Sequence, residues 1–194
     1  MLAANLAANL AVGRHGDIHS PRLILRHLDA EVLRLGSNGR HVEAGARLGA
    51  VLPADWLGEQ ALMALRLADM LADDGYAPWS LRAMLCRDSG RMLGHIGFHS
   101  TPAPAYLHEL APGAVELGYT VYAAHRRQGY AAEALAAMLH WARREHGQQR
   151  FVLSIAPHNQ PSLALAHRFG FCQVGSWHDP EDGDEQVFLL EHAA

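Results

Sequence analysis

The chain has 194 residues, 49% of them hydrophobic and 19% charged, with a formal net charge of −4. That length suits one domain with a well-buried core, and the acidic balance gives no electrostatic case for a nucleic-acid partner. No run approaches the ~20 apolar residues that cross a bilayer, and the 14 histidines lack H-E-x-x-H or paired C-x-x-C spacing, so no metal site is read.

The first ten residues repeat a Leu-Ala-Ala-Asn unit without a basic n-region, so no signal peptide is expected. Residues 1–20 read as a flexible extension and 21–194 as one domain. A short amphipathic helix packing on a partner chain is the alternative for the extension. Cys86 and Cys172 each lie in a strand-like stretch and read as buried thiols rather than a disulfide, which points to a cytoplasmic protein.

A strand is expected over 22–28, with short helical pieces near 29–35 and 41–48. Pro53 opens a helix that runs to about 73, with Leu57, Ala61, Leu65, Ala68 and Leu71 at helical spacing and turned toward the sheet. Residues 80–87 and 91–99 form a hairpin about Arg87-Asp-Ser-Gly90. Residues 100–112, with three prolines and no periodicity, read as a surface loop. A strand over 113–123 leads through a turn into a helix over 130–146. That helix has Ala131, Ala134, Leu135, Met138, Leu139 and Ala142 on one face, and Gly147 stops it. A strand over 150–156 follows. Asn159 then caps a helix at 160–169 that stops at Gly170. Strands at 171–178 and 184–191 flank the turn-forming Asp179-Pro-Glu-Asp-Gly183. The order of elements is that of one mixed α/β fold.

The most informative segment is the junction from Val115 to Leu135. Its turn reads Arg126-x-x-Gly129-x-Ala131, preceded by Val121, and contains neither G-x-x-x-x-G-K-[ST] nor G-x-G-x-x-G. A helix start leaves backbone N–H groups unpaired and carries the positive end of the helix dipole. With Arg126 and Arg127 these donors suit a phosphate or pyrophosphate. Gly129 permits close approach or positive φ. The plainer alternative is a solvated basic turn. Glu116 lies upstream on the strand.

This segment resembles the acetyl-CoA motif of the GNAT superfamily of N-acetyltransferases, a strand ending in valine followed by R/Q-x-x-G-x-G/A. A second segment is similar to that family's strand, Asn-x-x-Ser helix and (L/F)-G-F ending: Phe151 to Ile155, Asn159 to Ser162, and Phe169-Gly-Phe171. The opening Arg22 to Leu28 resembles the first strand of the ribosomal-protein N-terminal acetyltransferases. The likeness runs from about residue 21 to 192.

The resemblance implies a central mixed, mostly antiparallel sheet of six to seven strands with helices on both faces. It implies that the strand ahead of the turn splays from its neighbour. The backbone of Tyr119 to Val121 would then hold the pantetheine arm, and Arg126, Arg127, Gln128, Gly129, Tyr130 and Ala131 would wrap the pyrophosphate of acetyl-CoA. Asn159 would touch the pantetheine amide or only cap its helix. Tyr130 would stack near the cofactor or belong to the core. Ala123 stands where relatives often have proline, which matters little because backbone carries the contacts. Glu116 would be the catalytic base or ammonium anchor, against a surface glutamate paired with a cross-strand arginine. Ser162 would protonate the leaving thiolate, against a second capping hydroxyl. Phe98, Tyr106 and Trp177 are candidates to line the acceptor groove, to which the acidic stretch 179–185 would add charge.

The implied reaction is direct transfer of acetyl to a primary amine, either a protein N-terminus or a small molecule, with no metal. No G-x-S-x-G accompanies it, so no acetyl-enzyme is expected. The alternative is a non-catalytic acyl-CoA sensor. A homodimer is a family-level expectation.

Overall fold

The computed structural model describes residues 15–179 and 183–192. The elements in chain order are β1 (Ile18–His19), β2 (Leu23–His27), α1 (Ala30–Ser37), α2 (His41–Leu48), α3 (Gln60–Ala72), β3 (Arg82–Cys86), β4 (Met92–Phe98), β5 (Val115–Val121), α4 (Tyr130–His146), β6 (Arg150–Ile155), α5 (Gln160–Arg168), β7 (Cys172–Asp179) and β8 (Gly183–Glu191). They form one eight-stranded sheet of order β1-β2-β3-β4-β5-β6-β8-β7. Among these strands, only β5 and β6 pair in parallel. The sheet thus exceeds the expected six to seven strands. The extra strand is β1, two residues within the stretch assigned to the extension, where Ile18 pairs with Leu25 and His19 with Ile24. So short a strand has no periodic signal.

Helix ends follow local chemistry. Asp29 caps α1 by accepting from the Val32 N–H at 2.9 Å. Gly147 closes α4 in the left-handed conformation, where a Cβ would be penalised. The expected inner face of α4 is buried at Ala134, Leu135, Met138, Leu139 and Ala142.

The start and the facing of α3 differ from expectation. Residues 54–59 are a 3₁₀ helix and the α-helix begins at Gln60. The inward residues are Met63 and Met70, while Leu57, Ala61, Leu65, Ala68 and Leu71 are all exposed. The segment is apolar on nearly every side, so periodicity could not choose a face. Tertiary shape chose: the Met63 sulfur beside Trp56 fills the space that a Cβ on Gly36 of α1 would take.

The 100–112 segment is more than a surface loop. Leu107 and Ala111 are fully buried and, with Ala114, Val152, Val187 and Leu189, form a second small core. The cysteines are less buried than expected: both thiols are free, Cys86 is half-buried and Cys172 exposed. Phe98 is a core residue, stacked edge-on against Trp79 with ring centroids 5.0 Å apart. It does not line a groove. The tip of the acidic turn, residues 180–182, lies outside the described residues.

Candidate active site

The central strands part at the site. β5 pairs with β6 only through Val115↔Phe151 and Glu116↔Val152, whereas β6 continues pairing with β8 to Ile155. On that side the backbone of β5 beyond Glu116, including Tyr119 to Val121, has no strand partner among the described residues. Its other edge stays paired with β4 from Leu117 to Val121. This is an opening with a fixed wall, and its backbone polar groups need partners.

The phosphate-type turn closes one end. Gly129 has φ 82° and caps α4 in the left-handed region, and Arg127 also has positive φ, at 59°. Among the described residues, none accepts a hydrogen bond from the N–H groups of Arg127, Gln128 or Gly129. These donors adjoin the first-turn N–H groups of Tyr130 and Ala131, so the turn presents a run of unpaired donors at a helix N-terminus. Arg126 Nε donates to the Val121 carbonyl at 2.9 Å, which ties the end of β5 to the turn.

Arg22, which the sequence offered only as part of a strand, also belongs to this turn. Its Nε pairs with Glu133 at 2.6 Å and its Nη1 donates to the Gln128 carbonyl at 3.0 Å. The guanidinium lies 4.5 Å from the centroid of the half-buried Tyr130 ring. More than a hundred residues separate these partners, and no local pattern marks the link.

At the other end, Glu116 is buried. Its Oε2 lies 3.6 Å from Nδ1 of His99, which immediately follows β4. Burial pushes the carboxyl pKa up, but the His99 ring, then Ser154 and Tyr106, hold it below the ordinary glutamate value. Burial and then the Glu116 charge raise the Tyr106 phenol well above its usual value. The half-exposed Tyr106 packs edge-on against Trp177 at 5.8 Å, so two of the three proposed groove aromatics meet, and of these Tyr106 faces Glu116. The surface-arginine alternative for Glu116 is thus corrected: its partner is a histidine. His99 was missed, although a glycine inside a central strand was the available signal. A Cβ on Gly118 would lie 2.6 Å from His99 Nε2.

Ser162 and Asn159 sit at the start of α5. The Asn159 side chain accepts from the Ser162 N–H at 3.3 Å, so the capping role is observed. The Tyr119 hydroxyl is buried and faces Ser162. The strand before the opening and the helix beyond it therefore meet at these two side chains.

Residues 22–172 match the family model described as the acetyltransferase (GNAT) domain. The chain belongs to the GNAT acetyltransferases. It is an acetyl-CoA-dependent acetyltransferase. No curated protein matches it. Among solved structures, this GNAT chain is similar to a putative GNAT-family acetyltransferase from Bordetella pertussis, at 24% identity and TM-score 0.60, covering 90% of this chain and 99% of that one. It is similar to a putative ribosomal-protein-serine acetyltransferase from Vibrio cholerae, at 21% identity and TM-score 0.59, covering 91% and 98%. It is also similar to Mycobacterium smegmatis RimJ in complex with CoA-disulfide, at 17% identity and TM-score 0.57, covering 91% and 86%. At these identities the likenesses carry the fold alone. Among the described residues, no helix is long and apolar enough to cross a membrane.

Proposed function

We propose that this GNAT enzyme transfers acetyl from acetyl-CoA to a primary amine by direct attack in a ternary complex, in the cytoplasm. The observation that carries the reading is the parting of β5 from β6 after Glu116, with unpaired N–H groups of the turn at one end and a buried carboxylate at the other. Bound acetyl-CoA supplies an activated thioester. The N–H groups of residues 127 to 131, with Arg126 and Arg127, hold its pyrophosphate. The backbone of Tyr119 to Val121 holds the pantetheine arm and aims an N–H at the thioester carbonyl. Gln128 shapes the turn, Tyr130 stacks against the Arg22 guanidinium that braces it, and Asn159 fixes the start of α5 beside the arm. Ser162, facing Tyr119, returns a proton to the thiolate. Glu116 stays ionised at neutral pH and puts a negative charge behind the β5 face at which the acceptor amine arrives.

A protein N-terminus is the acceptor we favour over a small amine. The preference rests on the shared fold alone, which is also that of structures described as ribosomal-protein acetyltransferases, among them a putative one from Vibrio cholerae. An acyl-CoA sensor would have no need of a buried ionised carboxylate beside the opening. The test is a mass-spectrometric screen of Ser- and Ala-initiated peptides, spermidine and kanamycin with acetyl-CoA, alongside calorimetry of acetyl-CoA binding. Acetylated peptide is expected. Tight binding with no product from any amine would favour the sensor.

A further inference from the structure

We propose that His99 Nε2 is the general base of the transfer, and that Glu116 is the carboxylate that orients it. The inference rests on the acetyl-transfer reading above and assigns its proton. His99 Nδ1 faces Glu116 Oε2 at 3.6 Å. The carboxylate charge beside Nδ1 favours the tautomer with the proton there, which leaves a lone pair on Nε2. That nitrogen rests against β5 at Gly118, one residue before the backbone proposed to hold the pantetheine arm. Gly118 makes the seat possible, because any side chain there would displace the ring.

Exposure separates the two candidates. The Glu116 side chain is 6% exposed and that of His99 40%. An amine arriving from solvent meets the imidazole first, and the imidazole can hand its proton on to water. The buried carboxylate can do neither directly. The ring's backbone is also fixed on both sides. The His99 N–H donates to the Glu116 carbonyl at 2.9 Å, and Arg66 of α3 donates to the His99 carbonyl at 2.8 Å. Other polar and charged groups face this pair. Tyr106 and Ser154 face the Glu116 carboxylate, Arg66 is balanced by Asp69 at 2.9 Å, and the Tyr76 hydroxyl is bonded to the Phe98 carbonyl. Among the described residues, the carboxylate paired with the imidazole is Glu116.

The neutral amine nitrogen forms its bond to the acetyl carbonyl carbon, and His99 Nε2 takes the N–H proton. The C–S bond breaks, the electron pair leaves on sulfur, and the thiolate takes a proton from Ser162, which recovers it from water. His99 releases its proton to solvent, and the Glu116 carboxylate stabilises the transient imidazolium.

The test uses the full chain with the fastest acceptor of the amine panel. His99→Ala should lower kcat by roughly 10²–10⁴-fold with acetyl-CoA affinity unchanged, and free imidazole should restore part of the rate. Gly118→Ala should lower kcat comparably by evicting the ring. Glu116→Gln should lower kcat without imidazole rescue. Turnover of His99→Ala within about threefold of the wild type, or a loss that imidazole leaves untouched, overturns the assignment. Nitrogen-15 NMR of the His99 ring supplies an arm that needs no acceptor. It should show the proton on Nδ1, and a mixture of tautomers in Glu116→Gln. A ring carrying its proton on Nε2 in the wild type overturns the proposal. If no amine of the panel is acetylated, the acetyl-transfer reading falls, and the NMR result still decides the pair.

Discussion

Arg22 and Glu133 join the first long strand to the helix that follows the phosphate turn. Glu133 Oε1 accepts from the Arg22 backbone N–H at 2.7 Å, and Oε2 pairs with the guanidinium at 2.6 Å. The same guanidinium holds the Gln128 carbonyl. The turn that carries the unpaired donors is thus braced from a strand more than a hundred residues away.

Arg22→Ala should therefore loosen the turn. The arginine is about half exposed, so the stability cost is about 1 kcal/mol or less after solvent screening. Acetyl-CoA affinity should fall by about 3- to 10-fold, because the donors lose their fixed aim. Calorimetry against thermal melts separates the two effects. Unchanged affinity would show that the brace plays no part in binding.

Gly129 should be intolerant for a conformational reason. A Cβ there would meet nothing closer than Arg22 Nη2 at 3.5 Å, but φ is 82°. Gly129→Ala should cost about 1–2 kcal/mol, and Gly129→Val more, in stability or in affinity through a displaced turn. Gly129→Asn, which tolerates the left-handed region better, should retain the most. Equal melting temperatures and affinities across the series would remove the backbone argument.

Arg126 and Arg127 should make CoA binding sensitive to salt. Arg126 spends Nε on the Val121 carbonyl and keeps its charge at the turn. Affinity for CoA should drop with added salt while that for pantetheine barely changes. Arg127→Gln should flatten the CoA slope. Parallel slopes for the two ligands would leave the arginines as a solvated turn.

Acid should destabilise the fold through the histidines around Arg82. Burial, then the Arg82 charge, lowers the His27 pKa to about 3, and burial is the first cause for His15 and His146 as well. A histidine with a depressed folded pKa binds more protons when unfolded. Its contribution is present above about pH 6.5 and is lost as pH falls toward about 3. For the buried His27 the slope is about 1.4 kcal/mol per pH unit within this window. Urea denaturation across this window should show it, and His27→Gln should flatten it. A slope unchanged by that substitution would place the acid sensitivity elsewhere.

The facing of α3 can be read by mutation. Met63→Ala should cost about 2–5 kcal/mol, since Met63 is fully buried. Leu71→Ala, at a side chain 76% exposed, should stay within about 0.5 kcal/mol. The reverse ranking would restore the face that periodicity suggested.

Much of this molecule was written locally. The α4 helix carries its apolar stripe and its stop glycine in consecutive residues, so its bounds, 130–146, were legible. The Asn159 cap, the β3–β4 hairpin and the left-handed Gly129 follow from single-residue chemistry in the same way. What the sequence left open depends on partners distant in the chain. α3 is apolar almost all round, and only the notch at Gly36 selected the side that Met63 presents. β1 has two residues and exists because β2 offers an edge. Arg22 joined the turn, and His99 met Glu116, through pairings that no periodicity encodes. Propensity and capping act over a few residues and are visible in the chain itself. The burial of a carboxylate beside an imidazole is decided only when separate strands are brought side by side.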